Sequence, residues 1–167
     1  MSIDFQHETD IDLIQAYGIL LKEMKLRKII CSKNLVGDLG EYLAIDCYKR
    51  TSGLANLSSA PIGCRSFDAV GINGKRYSVK STSGAVTGSF FGFSSPTSGN
   101  RDKSTFDFLV IVQFDSEYSL KRIIELSWTQ FVEYRKWLPS QNAYNMPVTQ
   151  TVVAAAKLIY PTASGIL

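Results

Sequence analysis

The stretch SFDAVGINGKRYSVKST, residues Ser66–Thr82, decides how this chain is organised. It contains two short strand patterns, Ser66–Gly71 and Lys75–Ser81, on either side of an Asn73-Gly74 turn signal, and so predicts a β-hairpin. A strict two-residue turn would mix polar and apolar side chains on both faces of the hairpin. Because burial of one apolar face sets the register, we expect a loop of odd length instead.

An odd-length loop pairs Asp68 with Ser78 and separates the side chains by polarity. The apolar face is then expected to hold Phe67, Ala69, Tyr77 and Val79, and the polar face Asp68, Arg76, Ser78 and Lys80. A carboxylate and an ammonium group therefore converge on one side of the hairpin. Such a pair suits metal-dependent cleavage of phosphodiester bonds, since a carboxylate holds Mg²⁺ and a lysine orients or deprotonates the attacking water.

A first helix is predicted from Thr9, as its N-cap, to about Ile30. Its buried stripe is expected to comprise Ile14, Tyr17, Leu21 and Met24. The basic residues near its C-terminal end suit the helix dipole, and contact with DNA is the alternative reading.

A second helix is predicted over Lys33–Arg50, and it contains two glycines, Gly37 and Gly40. Glycine costs about 1 kcal/mol relative to alanine inside a helix, so these positions indicate close packing against another backbone. We expect that backbone to be the hairpin. Glu41 of this helix is then available as a further acid beside Asp68.

The segment Ser83–Thr105 is rich in glycine and serine and contains three phenylalanines. It is predicted to be a flexible loop with an edge strand around Ser89–Ser94. Arg101 and Lys103 lie in this loop and are candidates for gripping DNA phosphates or entering a groove. A solubilising loop is the alternative.

The remaining elements follow from periodicity and capping. FDFLVIVQF, residues Phe106–Phe114, is apolar throughout its middle and predicts a central strand, with a weaker strand or loop at Leu54–Pro61. Leu120–Leu126 is its expected partner. Ser127 with Gln130 forms a capping-box pattern that opens a helix over Trp128–Leu138, whereas Val148–Tyr160 suits either a strand or a helix.

Composition sets bounds without choosing a function. The 167 residues suit one domain, 1–167, with 45% hydrophobic and 20% charged residues and a net charge of +3. The three cysteines form no C-x-x-C pair, and no apolar run approaches the roughly 20 residues that span a bilayer. We therefore expect a cytoplasmic protein without membrane association. The only histidine, His7, makes a histidine-based triad or zinc site unexpected.

Four motifs in order resemble the PD-(D/E)xK nuclease superfamily, which has the restriction-endonuclease-like fold. They are G-D-L-G-E at Gly37–Glu41, F-D at Phe67–Asp68, S-V-K at Ser78–Lys80 and the apolar strand from Phe106. More narrowly, the chain resembles a group of small bacterial proteins in that superfamily with G-[DE]-x-G-E, Y-D and Q-V-K motifs, over about Leu20 to Tyr160. The resemblance implies an α/β fold with a mixed sheet flanked by helices. It also implies a helix between the lysine strand and the next strand, where Ser83–Thr105 does not read as helical.

The resemblance further implies a Mg²⁺-dependent endodeoxyribonuclease, with Mn²⁺ as a substitute metal and a homodimer for cutting both strands of DNA. Asp68 matches the metal ligand, Lys80 the catalytic lysine and Glu41 the helix glutamate. The Val79 carbonyl is a further metal ligand. Ser78 stands where the family carries Asp, Glu or Gln, and its neutral hydroxyl is a weaker ligand.

Two functions therefore remain open at this point. One is a nuclease that uses Glu41, Asp68, Ser78 and Lys80 and binds DNA with Arg76, Arg101 and Lys103. The other is a nuclease-fold module that has lost catalysis and binds DNA or a protein partner.

Overall fold

The computed structural model describes residues 3–61, 63–64 and 66–161. Contacts divide the chain into two compact units, one ending at Leu39 and the other beginning at Gly40. The expectation of a single domain therefore stays a prediction. In the described ranges, no helix combines the length and the apolarity that a membrane crossing requires.

The first unit contains helix α1, Asp10–Leu26. Thr9 caps this helix as predicted, because its Oγ1 accepts a hydrogen bond from the backbone N–H of Asp12 at 3.3 Å. The predicted burial of its apolar stripe is wrong: α1 has no buried residue, and Ile14 is 66% exposed. Helical spacing identified the apolar face correctly, but spacing does not specify a surface that covers it.

Helix α2, Leu35–Arg50, begins in the first unit and ends in the second. A Cβ on Gly37 would overlap the side chain of Asn34, whose Oδ1 accepts a hydrogen bond from the Gly37 N–H at 3.2 Å. Gly37 therefore makes room for a side chain at the start of its own helix. The expectation that Gly37 packs against the hairpin stays a prediction.

The second unit is built on a six-stranded mixed sheet in the order β1-β2-β3-β4-β5-β8. Its strands are β1 Leu57–Ser59, β2 Ala69–Gly71, β3 Arg76–Thr82, β4 Phe108–Phe114, β5 Leu120–Ser127 and β8 Lys157–Tyr160. Only β3 and β4 run parallel among the neighbouring pairs. This mixed sheet and its helices confirm the predicted α/β fold class.

Strand β4 lies inside the sheet, between β3 and β5, as its apolar sequence predicts. Leu109 and Ile111 belong to an aromatic-rich core cluster on one face, which includes Phe131 of helix α3, Trp128–Tyr134. Val152 of helix α4, Gln150–Ala155, joins the same cluster. The part of α2 from Gly40 onward covers the opposite face, so helices flank the sheet on both sides.

Helix α3 begins as predicted, since Ser127 and Gln130 form a complete capping box. Its predicted end at Leu138 is wrong, because Lys136–Leu138 is strand β6 and pairs with β7, Ala143–Asn145. Pro139 follows Leu138, and the residue before a proline disfavours the helical conformation. The ambiguous segment Val148–Tyr160 contains both expected structures, helix α4 and strand β8.

Residues 83–107 connect the parallel strands β3 and β4 without forming a helix or a multi-residue strand. The predicted edge strand at Ser89–Ser94 is reduced to a single bridge, in which Phe90 pairs with Tyr144. A second anchor is the ion pair between Asp102 and Arg135, at 2.7 Å. This segment therefore makes tertiary contacts, although its composition is typical of a flexible loop.

Candidate active site

The hairpin register brings Asp68 opposite Ser78. Ala69 pairs with Tyr77 and Val70 with Arg76, and the Gly71 N–H donates to the Lys75 carbonyl at 2.8 Å, which leaves residues 72–74 as the connecting loop. Gly74 lies in this loop with φ +76°, a conformation that favours glycine. The odd-length loop predicted from the apolar face is therefore confirmed.

Asp68 is held on both sides by backbone hydrogen bonds. Its N–H donates to the Tyr77 carbonyl at 2.8 Å, and its own carbonyl accepts from the Ala60 N–H at 2.9 Å. Its Oδ2 accepts two further hydrogen bonds, from the Val79 N–H at 2.7 Å and from the Ser78 hydroxyl at 3.2 Å. The carboxylate is thus directed at the beginning of the S-V-K motif.

Among the described residues, the ladder between β2 and β3 ends at Ala69 and Tyr77, so the edge of β3 on that side is open from Ser78 onward within the described ranges. The carboxylate of Asp68 takes the position of a backbone acceptor for Val79 there. In a strand the N–H and C=O of one residue project to the same edge, so the Val79 carbonyl also lies on the Asp68 side. The hydrogen bonds from Val79 and Ser78 both go to Oδ2, and within the described residues Asp68 Oδ1 receives none.

Lys80 lies on the same face of β3 as Ser78, because alternate strand residues share a face. Its Nζ is 5.2 Å from the centre of the Phe90 ring, and it forms no ion pair with any described residue. Ser78 and Lys80 both line a cavity of about 370 Å³. The other lining residues are Ser66, Ser89, Phe90, Phe91, Gly92, Phe93, Thr105 and Phe106. An ammonium group therefore faces a cavity with hydroxyl groups and aromatic walls.

Helix α2 approaches β3 closely at Gly40, as predicted. A Cβ on Gly40 would overlap the Ser81 hydroxyl and would lie 2.8 Å from the Ser81 Cβ. Glu41 follows this contact directly in the chain, and its side chain is exposed. Its role as a metal ligand stays a prediction. Across the described ranges, no three histidine, cysteine or acidic side chains form a metal-binding group.

The oxygen atoms at the open edge fit a hard divalent cation of modest affinity. Asp68 supplies one carboxylate, Val79 one carbonyl and Ser78 a neutral hydroxyl. Mg²⁺ is commonly held by one or two carboxylates together with water and substrate phosphates, and Mn²⁺ accepts the same oxygen ligands. The donor set therefore fits a cation that is bound largely with its substrate.

Arg76, a predicted DNA contact, is engaged with Asp107. Its backbone N–H and its Nε both donate to Asp107 Oδ2, at 2.9 and 3.1 Å, and Lys75 Nζ lies 3.7 Å from Oδ1. The hydrogen bond from the Arg76 backbone, followed by the Arg76 side chain, lowers the pKa of Asp107. Phosphate would have to compete with this carboxylate for Arg76.

Arg101 and Lys103 are exposed and form no ion pair within the described part of the chain. Asp102 between them is nearly buried against Arg135. Burial alone would raise the pKa of Asp102, but the hydrogen bond from the Ser94 N–H and the Arg135 guanidinium together lower it. The ion pair fixes the segment that carries Arg101 and Lys103, whose contact with DNA stays a prediction.

The aromatic wall of the Lys80 cavity is the part of the site that the sequence did not reveal. Phe90 and Phe106 are buried in the core cluster, whereas Phe91 is 67% exposed at the cavity. Three phenylalanines in a glycine- and serine-rich segment were the available signal. Their placement around Lys80 depends on the bridge between Phe90 and Tyr144, two residues far apart in the chain.

A second polar group lies on the face of the sheet that α2 covers. The Tyr48 hydroxyl donates to Glu125 Oε2 at 2.6 Å, and burial together with the Glu125 carboxylate raises the pKa of Tyr48 far above its ordinary value. The tyrosine therefore stays protonated and satisfies the carboxylate. This pair is a polar contact between α2 and β5 on that face.

Comparison of the sequence with models of known protein families found no match, and comparison with curated proteins found no significantly similar sequence.

Proposed function

We propose that this protein is a metal-dependent endonuclease that hydrolyses DNA phosphodiester bonds, as its resemblance to the PD-(D/E)xK superfamily implies. The observation that carries the proposal is the hairpin register. By strand alternation Asp68, Ser78 and Lys80 share one face of the hairpin, and Ser78 and Lys80 line a cavity of about 370 Å³. This chemistry requires a carboxylate, a backbone carbonyl and an ammonium group, here the ammonium of Lys80, which forms no ion pair with any residue that the structure describes.

Each group has a role in the proposed reaction. Asp68 and the Val79 carbonyl would hold Mg²⁺ or Mn²⁺, with Glu41 as a further ligand. The bound cation would polarise the scissile phosphate and lower the pKa of a bound water. Lys80 orients the attacking water and offsets negative charge that develops on the phosphate. The Phe90 ring, 5.2 Å from Lys80 Nζ, would lie beside that interaction.

DNA is the proposed partner. Arg101 and Lys103 would contact phosphates, and Arg76 would do so in competition with Asp107. A homodimer would supply the second site needed to cut both strands, since two-fold symmetry duplicates the first. We also propose a cytoplasmic location, in line with the free state of Cys31, Cys47 and Cys64.

The test is nicking of supercoiled plasmid by the full chain with Mg²⁺, with Mn²⁺ and with a chelator. We expect metal-dependent nicking that falls at least about 100-fold in Lys80→Ala and in Asp68→Asn, as for loss of a group that stabilises the transition state. Lys121→Ala removes an exposed lysine of β5 and is the matched control. Nicking that persists in both site variants would contradict the proposal.

A second function, binding of DNA without cleavage, is favoured by one specific observation. Ser78 contributes a neutral hydroxyl to Asp68 where the family carries an acid or glutamine, so the cation loses a charged ligand. This alternative predicts no nicking with either metal and retention of DNA that weakens steeply with salt. Failure of both nicking and retention would exclude both functions.

A further inference from the structure

Helix α1 presents an apolar face to solvent. Ile14, Tyr17 and Leu20 are 66%, 57% and 56% exposed, and helical spacing places Leu13 and Leu21 beside them. Most of the stability of a protein helix comes from packing of such a face, and a 17-residue helix without it is marginal in water. A partner for this face would therefore stabilise α1.

The apolar face of α1 can pack against the same face of a second copy that runs antiparallel to it. Leu13 and Leu21 lie four residues before and after Tyr17, and Ile14 and Leu20 lie three residues before and after it. A second copy of α1, antiparallel to the first, would therefore place Leu13 opposite Leu21 and Ile14 opposite Leu20. Such self-complementarity is the requirement for a two-fold interface between identical chains.

The charges of α1 favour the same antiparallel arrangement. Asp10 and Asp12 occupy its first turn, and Lys25 its last. In the antiparallel pair centred on Tyr17, Asp10 of one copy lies near Lys25 of the other. The two helix dipoles then point in opposite directions, which is the favourable arrangement for neighbouring helices. A parallel arrangement would instead bring the acidic ends together and the basic ends together.

We propose that α1 is a homodimerisation surface, on which two copies pack antiparallel about a two-fold axis at Tyr17. This proposal rests on the exposed face, its symmetry and its charges, and it is independent of the proposed nuclease activity.

Sedimentation equilibrium of the full chain tests the oligomeric state. We expect a particle of twice the 18.5 kDa of the chain. Tyr17→Glu would bury one carboxylate from each copy at the axis, and we expect dimerisation to weaken at least about 100-fold. Ile72→Glu changes an 83% exposed apolar residue of the hairpin loop and is the control that should stay dimeric. Far-UV circular dichroism verifies that both variants are folded.

Charge reversal tests the arrangement of the two helices. Asp10→Lys and Lys25→Asp should each weaken the dimer by placing like charges together, and the double variant should recover it. A Tyr17→Cys variant in a Cys31→Ser, Cys64→Ser background should cross-link with a short bismaleimide. Gln15→Cys, on the opposite side of α1, is the matched control and should not cross-link.

Three outcomes would overturn the proposal. They are a monomeric chain at all concentrations tested, a dimer that Tyr17→Glu leaves intact, and a double charge variant that is weaker than either single variant. A Tyr17→Glu variant that loses DNA retention without a change in mass would instead identify α1 as a nucleic-acid contact.

Discussion

The carboxylate of Asp68 accepts a 2.7 Å hydrogen bond from the backbone N–H of Val79, at a point of β3 beyond the end of its ladder with β2. One side chain therefore serves two purposes at the candidate site. It satisfies a backbone donor that the end of the β2–β3 ladder leaves unpaired, and it is the proposed ligand of the metal ion. Asp68 therefore has a structural role and also a role in the proposed catalysis.

Substitution of Asp68 should separate these two purposes. Asp68→Ala leaves the Val79 N–H without its acceptor, and we expect a loss of about 1–3 kcal/mol in the free energy of unfolding. Asp68→Asn retains a carbonyl oxygen, so its stability should fall less, yet its nicking activity should be lost with the negative charge. Urea unfolding and plasmid nicking measure the two effects. Equal stability of the two variants would contradict the structural purpose.

Replacement of Ser78 by an acid should make the site depend on a cation. In Ser78→Glu a second carboxylate lies beside Asp68, and we expect the like charges to lower the melting temperature in a chelator. Mg²⁺ should raise the melting temperature more in this variant than in the wild type, by about 2–4 °C for each kcal/mol of binding free energy. Ser78→Gln, without the added charge, is the matched control. A response to Mg²⁺ equal to that of Ser78→Gln would argue against a cation between these residues.

Close contact between α2 and β3 should make Gly40 intolerant of a side chain. Gly40→Ala would force its methyl group against Ser81, and we expect a loss of about 1–3 kcal/mol despite the better helix propensity of alanine. The Ser81 hydroxyl is buried without a hydrogen-bond partner among the described residues, so Ser81→Ala should be neutral or stabilising. The Gly40→Ala, Ser81→Ala double variant should recover part of the lost free energy of unfolding, as a double-mutant cycle measured by thermal unfolding would show.

Gly18 provides a control for that experiment. No heavy atom outside its own helix neighbourhood lies within 4 Å of a Cβ built there, so Gly18→Ala should stabilise α1 by about 0.5–1 kcal/mol. A Gly40→Ala variant as stable as Gly18→Ala would show that α2 can move away from β3.

The Asp107–Arg76 contact should contribute to stability in a defined pH range. The pKa of Asp107 is lowered in the folded state, so its contribution is present above the unfolded value near 3.8 and is lost as pH falls through the folded value. Urea unfolding at a series of pH values below about 5 should therefore show a shallower loss of stability in Asp107→Asn than in the wild type. Glu117→Gln controls for the change in net charge. Identical slopes in Asp107→Asn and the wild type would exclude this contribution.

Sequence patterns predicted a structural feature correctly where all the residues that produce the feature lie in one short stretch of the chain. The apolar face of Ser66–Thr82 determined the hairpin register, and the apolar run of FDFLVIVQF determined an interior strand. Ser127 and Gln130 determined the start of α3 through their capping box. In each case the groups that interact lie within a few residues of one another.

Features that depend on contacts between residues far apart in the chain could not be predicted from sequence patterns. The end of α3 is set by pairing of Lys136–Leu138 with Ala143–Asn145, a contact that competes with helix propensity. The aromatic wall around Lys80 exists because Phe90 forms a β-bridge with Tyr144. Arg76 contacts Asp107 because β3 pairs in parallel with β4, the strand that begins directly after Asp107. Local periodicity contains no information about such partners.

The sequence by itself therefore determined the α/β class, the hairpin and the convergence of Asp68, Ser78 and Lys80, because strand alternation and burial act over a few residues. Only the tertiary structure decided that Asp68 caps an open edge of β3, that Lys80 faces an aromatic cavity, and that α1 keeps its apolar face exposed. Those features depend on which surfaces meet, and the free energy of that choice is distributed over residues far apart in the chain.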